Sequence, residues 1–247
     1  TSGTTGNPKG VQITHRNVLN FIHSMAKEPG FGTTESLVSV TTLSFDISVL
    51  ELFLPLLVGG PCILASPEER TDGKRLRNLI NQSGSHVMQA TPSTWRLLLD
   101  SGWEGDAKGK FMCGGEAMPR DLANRLCELG HEVWNMYGPT ETTVWSTVQK
   151  VEPGSVVVPI GKPIANTSTY ILDASGQPVP KNVIGALFIG GIGLARGYLN
   201  RPDLTSGKFV PDPFSSSPGA RMYATGDLGR WNSNGVFLEI EKEVMGA

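Results

Sequence analysis

The first ten residues of this chain combine hydroxyl side chains, glycines and one lysine, which is the chemistry needed to bind a polyphosphate. The segment reads Thr1, Ser2, Gly3, Thr4, Thr5, Gly6, Asn7, Pro8, Lys9 and Gly10. Glycines let backbone N–H groups approach phosphate oxygens closely, hydroxyls add donors, and the lysine adds a positive charge. The spacing differs from G-x-x-x-x-G-K-[ST], so an ordinary P-loop NTPase is excluded. We predict a phosphate-binding loop here; the alternative is a flexible Ser/Thr/Gly terminus.

A second candidate segment, N-M-Y-G-P-T-E at 135–141, follows an apolar stretch. If that stretch is a strand, the turn lies at the carboxyl end of a sheet, where open α/β folds bind ligands. Tyr137 could then stack on a base and Thr140 could donate to a phosphate. Glu141 could bind Mg²⁺, which takes one or two carboxylates plus phosphate oxygens. An ordinary Gly-Pro turn is the alternative.

A third segment, Y-A-T-G-D-L at 223–228, places Asp227 after a glycine turn. A carboxylate there is suited to accept hydrogen bonds from both hydroxyls of a ribose, although an Asp after Gly is often only a turn residue. A glycine-dense loop at 190–198 is weak evidence when taken alone.

Composition narrows the possible partners. The 247 residues are 39% hydrophobic and 18% charged with a net charge of −2, so we expect neither nucleic acid nor a membrane as a partner. The chain has no G-x-S-x-G and no H-E-x-x-H, so a serine hydrolase or a zinc enzyme has no support. The cysteines, Cys62, Cys113 and Cys127, form no C-x-x-C pair, which favours reduced thiols in a cytoplasmic protein.

The apolar pattern predicts an α/β fold. Helices are expected at 14–25, 47–58, 75–82, 93–100 and 119–129, and strands at 39–40, 62–64, 87–89, 110–113 and 133–136. This alternation is typical of β-α-β units. After about residue 148 the pattern changes to short strands separated by Gly and Pro, at 170–172, 186–189 and 236–239.

Taken in order, the motifs resemble those of the adenylate-forming superfamily, and most closely the amino-acid adenylation domains of nonribosomal peptide synthetases. The resemblance rests on T-S-G-T-T-G-N-P-K-G, F-D-I-S at 45–48, N-M-Y-G-P-T-E, G-I-G-L-A-R-G-Y-L at 191–199, and Y-A-T-G-D-L. It implies a layered α-β-α sheet subdomain over residues 1–150 and a smaller β-rich, distorted-barrel subdomain over residues 151–247.

The resemblance also implies a reaction and roles. Such enzymes use ATP and Mg²⁺ to convert an amino acid to an aminoacyl-AMP, then pass the acyl group to the phosphopantetheine thiol of a peptidyl carrier domain. By this resemblance the opening loop binds the outer phosphates, Thr140 contacts the α-phosphate and Glu141 binds Mg²⁺. Tyr137 stacks on adenine, and Asp227 binds the ribose hydroxyls. Lys9, Thr140 and Glu141 are the expected catalytic residues, and Met136, Gly114, Gly115 and Glu116 line the nucleotide and substrate cleft.

The same resemblance assigns an amino-acid pocket. It consists of Asp46, Ile47, Leu50, Gln89, Met112, Gly114, Met136, Val144 and Trp145. Asp46 is expected to pair with the substrate ammonium group; the competing interpretation is a helix N-cap. The large members leave little space for a side chain, so glycine is favoured and alanine is next. For each apolar member taken singly, core packing is the alternative.

The chain departs from the family pattern in two places. Ala186 stands where the family usually has an acid, and after Leu238 no G-R-x-D hinge follows. We therefore expect the C-terminal swinging domain and its catalytic lysine to be absent and the isolated fragment to be impaired. Two alternatives remain open: an acyl- or aryl-CoA ligase of the same superfamily, and a non-catalytic nucleotide-binding remnant.

Overall fold

The computed structural model describes residues 8–129, 132–232 and 235, and the backbone of 237–242. It divides into two compact units. The parallel-sheet unit comprises residues 22–137 and 148–159, and the antiparallel-sheet unit comprises residues 1–21, 138–147 and 160–247. Helix α1 (His15–Met25) and strand β6 (Thr147–Lys150) have residues in both units.

The parallel-sheet unit alternates strands and helices along the chain. Its strands are β1 (Leu37–Ser39), β2 (Cys62–Leu64), β3 (Val87–Ala90), β4 (Lys110–Gly114) and β5 (Glu132–Tyr137). Its helices are α2 (Ser48–Val58), α3 (Pro67–Thr71), α4 (Gly73–Ser83), α5 (Pro92–Asp100) and α6 (Arg120–Glu128), and a π-helical turn covers Ala26–Gly30. The strands lie parallel in the order β2-β1-β3-β4-β5.

The two faces of this sheet carry different residues because successive side chains of a strand point to opposite sides. One face contributes Val38, Met88, Phe111 and Val133 to the main hydrophobic cluster. Helices α4, α5 and α6 supply further members of that cluster, including Trp95. The other face carries the alternate positions of β3, β4 and β5, which include several predicted pocket residues.

The antiparallel-sheet unit is built from later strands. They are β7 (Lys162–Pro163), β8 (Thr167–Leu172), β9 (Gly185–Gly191), β10 (Phe209–Pro211), β11 (Arg221–Trp231) and β12 (Phe237–Lys242), with helix α7 (Pro202–Lys208) before β10. The sheet has the order β10-β11-β9-β8, and β12 also pairs with β11. All these pairings are antiparallel, and β11 shifts register between Ala224 and Leu228.

The predicted α/β class is confirmed: a parallel sheet with helices is accompanied by a curled antiparallel sheet. Asp227, however, does not follow a free turn, because Gly226 and Asp227 lie inside the 11-residue strand β11, at its register shift. The short helices α3 and α7 were not predicted. The boundary proposed near residue 150 stays a prediction about domains; both compact units are discontinuous in sequence.

Within the described part of the chain, no helix is long and apolar enough to cross a membrane. The cysteines Cys62, Cys113 and Cys127 are all free thiols. Burial raises the pKa of Cys113 to about 12, so this thiol stays protonated at neutral pH.

Candidate functional site

The described part of the opening motif pairs with the later glycine-dense motif. Thr1, Ser2, Gly3, Thr4, Thr5 and Gly6 lie outside the described residues. Further along the chain, the Gly10 carbonyl accepts from the Leu199 N–H at 2.7 Å, and the Gln12 N–H donates to the Gly197 carbonyl at 2.9 Å. The Lys9 Nζ lies 5.3 Å from the centroid of the Tyr198 ring. Two motifs nearly 190 residues apart in the sequence thus meet in the antiparallel-sheet unit, because Val11 and Tyr198 form a β-bridge.

The same tyrosine contacts the predicted metal ligand. Glu141 lies in a 3₁₀ turn at Thr140–Thr142 and is 7% exposed. The Tyr198 hydroxyl donates to Glu141 Oε1 at 2.6 Å, and the Tyr223 hydroxyl lies 3.4 Å from that of Tyr198. Burial, followed by the neighbouring carboxylate, raises the pKa of Tyr198. Tyr198 therefore keeps its proton and orients the carboxylate.

The backbone around Glu141 is held closely by the glycine-dense loop. The Ala195 N–H donates to the Glu141 carbonyl at 2.9 Å, and the Thr143 hydroxyl donates to the Gly193 carbonyl at 2.7 Å. A Cβ on Gly193 would lie 2.8 Å from the Thr142 carbonyl oxygen. Glycine is therefore required at this position because any side chain would displace the Glu141 turn.

The turn that follows Glu141 is strained. Thr143 and Val144 adopt φ angles of 67° and 65°, which a β-branched residue rarely adopts. Such conformations cost on the order of 1–3 kcal/mol each and persist only where the surroundings impose them. Gly138 permits the turn, since a Cβ there would lie 2.5 Å from the Val144 carbonyl oxygen. Trp145, which directly follows this turn, is 1% exposed.

The predicted ribose acceptor lies in the same unit. Asp227 is half-buried, and its N–H donates to the Thr225 hydroxyl oxygen at 3.0 Å. That hydroxyl in turn donates to the Leu187 carbonyl at 2.9 Å. Gly226 between them has a φ of 85°, so the register shift of β11 depends on glycine at this position. Asp227 and Tyr223 are thus carried by one strand.

The parallel-sheet unit places four members of the predicted amino-acid pocket on one face of its sheet. Gln89 of β3 is paired in register with Met112 of β4, and Gly114 of β4 with Met136 of β5. Because Met112 and Gly114 are two residues apart, all four positions face the same side. Gln89, Met112 and Met136 are at most 2% exposed. The sequence spacing alone could not have shown this alignment.

Helix α2 brings further predicted pocket residues to that face. The Gln89 Nε2 donates to the Ile47 carbonyl at 2.8 Å, so the start of α2 lies over β3. Asp46 is half-buried and immediately precedes Ile47, which occupies the N-cap position of α2. The interpretation of Asp46 as the N-cap is therefore wrong, because the helix begins one residue later without a capping side chain. Leu50, one turn further, is 0% exposed.

The turn after β4 carries the remaining cleft residues. Gly115 has a φ of 86°, and a Cβ there would lie 3.6 Å from the Thr91 side chain and 3.7 Å from the Phe45 ring. Glu116 is exposed, and the Ser93 hydroxyl lies 3.5 Å from its Oε2. Tyr137, at the carboxyl end of β5, is half-buried. These residues share the carboxyl edge of the parallel sheet.

Sequence reasoning missed one charged residue beside this pocket. Glu51 of α2 is 0% exposed and accepts hydrogen bonds from Ser39, Thr41 and Gln89. Burial raises its pKa, against the opposing effect of these donors. The available signal was an acid inside an otherwise apolar run at 49–58.

The described residues offer few protein ligands for a metal ion, which is compatible with Mg²⁺ bound mainly by a nucleotide. No group of three His, Cys, Asp or Glu side chains that could form a protein-only metal site occurs among the described residues. A single buried carboxylate suits Mg²⁺, which keeps substrate phosphates and water as its other ligands, and the Tyr198 ring that orients this carboxylate also contacts Lys9. Glu141 is the residue that would hold it.

Comparisons with known proteins agree with these motifs. A family model described as AMP-binding enzyme matches residues 1–199. The chain is 47% identical over 236 residues to a dimodular nonribosomal peptide synthase of Bacillus subtilis (strain 168), covering 95% of this chain and 10% of that protein. It is 39% identical over 241 residues to gramicidin S synthase 2 of Aneurinibacillus migulanus, covering 96% of this chain and 5% of that protein.

A solved structure agrees as well. The fold matches a crystal structure of a holo four-domain nonribosomal peptide synthetase bound to AMP and glycine, with a TM-score of 0.89 and 42% identity. The match covers 95% of this chain and 18% of that one, so the chain corresponds to a small part of its multidomain relatives. The chain belongs to the AMP-binding enzyme family, in which it is similar to the adenylation domains of nonribosomal peptide synthetases.

Proposed function

We propose that this chain forms the nucleotide- and amino-acid-binding part of an ATP-dependent amino-acid adenylating ligase. An oxygen of the amino acid's carboxylate attacks the α-phosphorus of ATP, the bond from that phosphorus to pyrophosphate breaks, and aminoacyl-AMP forms. A phosphopantetheine thiol on a peptidyl carrier domain then attacks the carbonyl carbon of the aminoacyl-AMP, so that a thioester forms, the bond to the phosphate breaks and AMP leaves. Such a displacement needs positioning and charge neutralisation rather than a protein nucleophile.

One observation supports this proposal most strongly: the Glu141 carboxylate is buried and accepts a hydrogen bond from Tyr198, whose ring also contacts Lys9. Bound Mg²⁺ would neutralise charge on the phosphate oxygens. Glu141 would hold that ion, while Lys9 and the opening loop bind the outer phosphates. Thr140 would donate to the α-phosphate, Tyr137 would stack on adenine and Asp227 would bind the ribose hydroxyls.

On the amino-acid side, Asp46 would bind the substrate ammonium group. We propose glycine as the preferred substrate, because Leu50, Met112 and Met136 are large and fully buried around the position of a side chain. Val144 and Trp145 are likewise buried, in the antiparallel-sheet unit. The similar four-domain synthetase was crystallised with AMP and glycine, which favours the same assignment. Alanine is the nearest competitor, since excluding one methyl is worth only about 1–3 kcal/mol.

The decisive experiment is ATP–pyrophosphate exchange by the full-length protein that carries this chain, with each of the common amino acids. We expect glycine to give the highest rate and alanine the next. A best response to a bulky or charged amino acid would overturn the glycine assignment, and a complete absence of amino-acid-dependent exchange would overturn adenylation. Nucleotide binding without exchange would instead indicate a non-catalytic remnant.

Asp46 favours amino-acid activation over an acyl- or aryl-CoA ligase, because such substrates have no ammonium group to pair with it. Exchange driven by carboxylic acids without an amine, followed by CoA-dependent release of AMP, would reverse this choice. The carrier partner and a cytoplasmic location stay predictions, as does the expectation that neither nucleic acid nor membrane is bound.

A further inference from the structure

Glu51 is the most completely hydrogen-bonded acid in the described part of the parallel-sheet unit. Its Oε2 accepts from the Ser39 hydroxyl and the Thr41 N–H, each at 2.9 Å. Its Oε1 accepts from the Thr41 hydroxyl at 2.5 Å and from Gln89 Nε2 at 3.0 Å. The carboxylate therefore connects α2 to the carboxyl ends of β1 and β3, which is the edge that carries the predicted pocket.

Gln89 is held by this carboxylate in one orientation. A glutamine amide has two N–H donors, and here one reaches Glu51 Oε1 while the other reaches the Ile47 carbonyl at 2.8 Å. The two acceptors lie one helical turn apart at the start of α2. The Gln89 nitrogen therefore faces α2, so this member of the predicted pocket acts by fixing the helix, not by donating to a substrate.

The hydrogen bond from Gln89 to the Ile47 carbonyl also affects the position of Asp46, the residue before Ile47. Asp46 directly precedes Ile47, the N-cap residue of α2, and its carbonyl accepts from the Val49 N–H at 3.0 Å. Asp46 is therefore tied to the first turn of α2, which Gln89 holds over β3 through the Ile47 carbonyl. We propose that Glu51, acting through Gln89, is a positioning residue that places Asp46 for the substrate ammonium group; this inference rests on the proposed function.

The test is Glu51→Gln in the full-length protein, assayed by pyrophosphate exchange with glycine, alanine and ATP varied separately. Glutamine has nearly the same shape, but its amide hydrogens would oppose the Gln89 or Thr41 donors. Because a lost hydrogen bond to a charged group corresponds to about tenfold or more in affinity, we expect the KM for glycine to rise about tenfold. The KM for ATP should stay within about twofold, and the preference for glycine over alanine should fall.

Ser39→Ala is the matched control, because it removes one donor to Glu51 Oε2 without touching Gln89. It should lower the thermal unfolding temperature but leave the KM for glycine within about twofold. Gln89→Leu approaches the same link from the other side and keeps the Ser39 and Thr41 donors. It should reproduce the rise in KM for glycine, and it provides the test if Glu51→Gln fails to fold.

The outcomes separate the two proposals. A wild-type protein without amino-acid-dependent exchange would refute the proposed function itself. Normal wild-type exchange, together with an unchanged KM for glycine in folded Glu51→Gln or in Gln89→Leu, would overturn only the positioning role. An equal rise in the KM values for glycine and ATP would also overturn it, since that would indicate general distortion.

Discussion

The two units of the molecule each bury an acid, and they satisfy it differently. Glu51 in the parallel-sheet unit is 0% exposed and accepts four hydrogen bonds, two on each oxygen. Glu141 in the antiparallel-sheet unit is 7% exposed, and the Tyr198 hydroxyl donates to its Oε1 at 2.6 Å. Both acids are buried, but donors from three residues occupy both oxygens of Glu51, whereas Glu141 contacts the hydroxyl of Tyr198, a residue of a family motif.

The difference indicates that the two carboxylates have different roles. A carboxylate whose acceptor sites are all occupied fixes neighbouring peptides, because rearranging it would leave several buried donors without partners. A carboxylate with one oriented oxygen can still accept a cation on the other. We accordingly propose that Glu51 positions residues of the amino-acid pocket and that Glu141 binds the cation that neutralises the nucleotide. Changes at Glu51 should therefore affect the KM for the amino acid, and changes at Glu141 should affect the dependence on Mg²⁺.

The largest effect is expected from Asp46→Ala, on the amino-acid side. Removing the partner of a buried ammonium group costs roughly 3–5 kcal/mol, so glycine-dependent exchange should fall beyond detection in ordinary assays. ATP binding, measured by calorimetry, should be retained, as should the circular dichroism spectrum. A variant with normal turnover, or one that unfolds, would count against the assignment.

Glu141→Gln should produce the next largest effect, on the nucleotide side. Loss of a ligand that holds Mg²⁺ against the phosphates is expected to lower the exchange rate about 10²-fold. The concentration of Mg²⁺ needed for half-maximal rate should rise, while the KM for glycine changes little. An unaltered Mg²⁺ dependence would remove the contrast between the two carboxylates.

Tyr198→Phe tests whether orientation of Glu141 matters. It removes one hydroxyl that donates at 2.6 Å and leaves the ring beside Lys9 intact. Residues that orient a metal ligand typically contribute about 10- to 100-fold, so we expect a loss of about tenfold in exchange. Tyr223→Phe is the comparison variant, because its hydroxyl lies 3.4 Å from that of Tyr198 and has the weaker hydrogen bond to Glu141. Equal losses in the two variants would contradict a specific role for Tyr198.

The smallest effect concerns the pH dependence of stability. Burial raises the pKa of Glu51 above 4.5, the ordinary value for a glutamate, so the folded state binds this proton more tightly than the unfolded state. The contribution of Glu51 to stability is therefore greatest below pH 4.5 and falls as the pH rises through the raised pKa. Denaturant unfolding of wild type and Glu51→Gln between pH 4 and 8 should show this slope in wild type only. Parallel curves would mean that the pKa is not raised.

Much of the parallel sheet could be predicted from sequence, because its strands are short apolar runs bounded by turn residues. The strand expected at 62–64 was found at Cys62–Leu64, and that at 87–89 was found at Val87–Ala90. Strand β11 was read as a turn, since Gly226 and Gly229 interrupt its pattern. Helix α3 is short and highly charged, and only the reciprocal hydrogen bonds of Ser66 and Glu69 reveal its start.

The site was less accessible to sequence reasoning. Family resemblance identified Asp46, Glu141 and Asp227, but not the residues that orient them. Tyr198 belonged to a recognised motif without an assigned role, and Glu51 was visible only as an interruption of an apolar run. Their partners are 57 and 38 residues away in sequence, and no local pattern encodes such hydrogen bonds.

A crystal structure of the full-length protein with glycine, a non-hydrolysable ATP analogue and Mn²⁺ would test most directly whether Glu141 binds the metal ion and Asp46 binds the amino acid. Anomalous scattering should place the Mn²⁺ ion against the Glu141 carboxylate, and the electron density should place the glycine ammonium group against Asp46. Mn²⁺ away from Glu141, or glycine bound with its ammonium group remote from Asp46, would contradict the account.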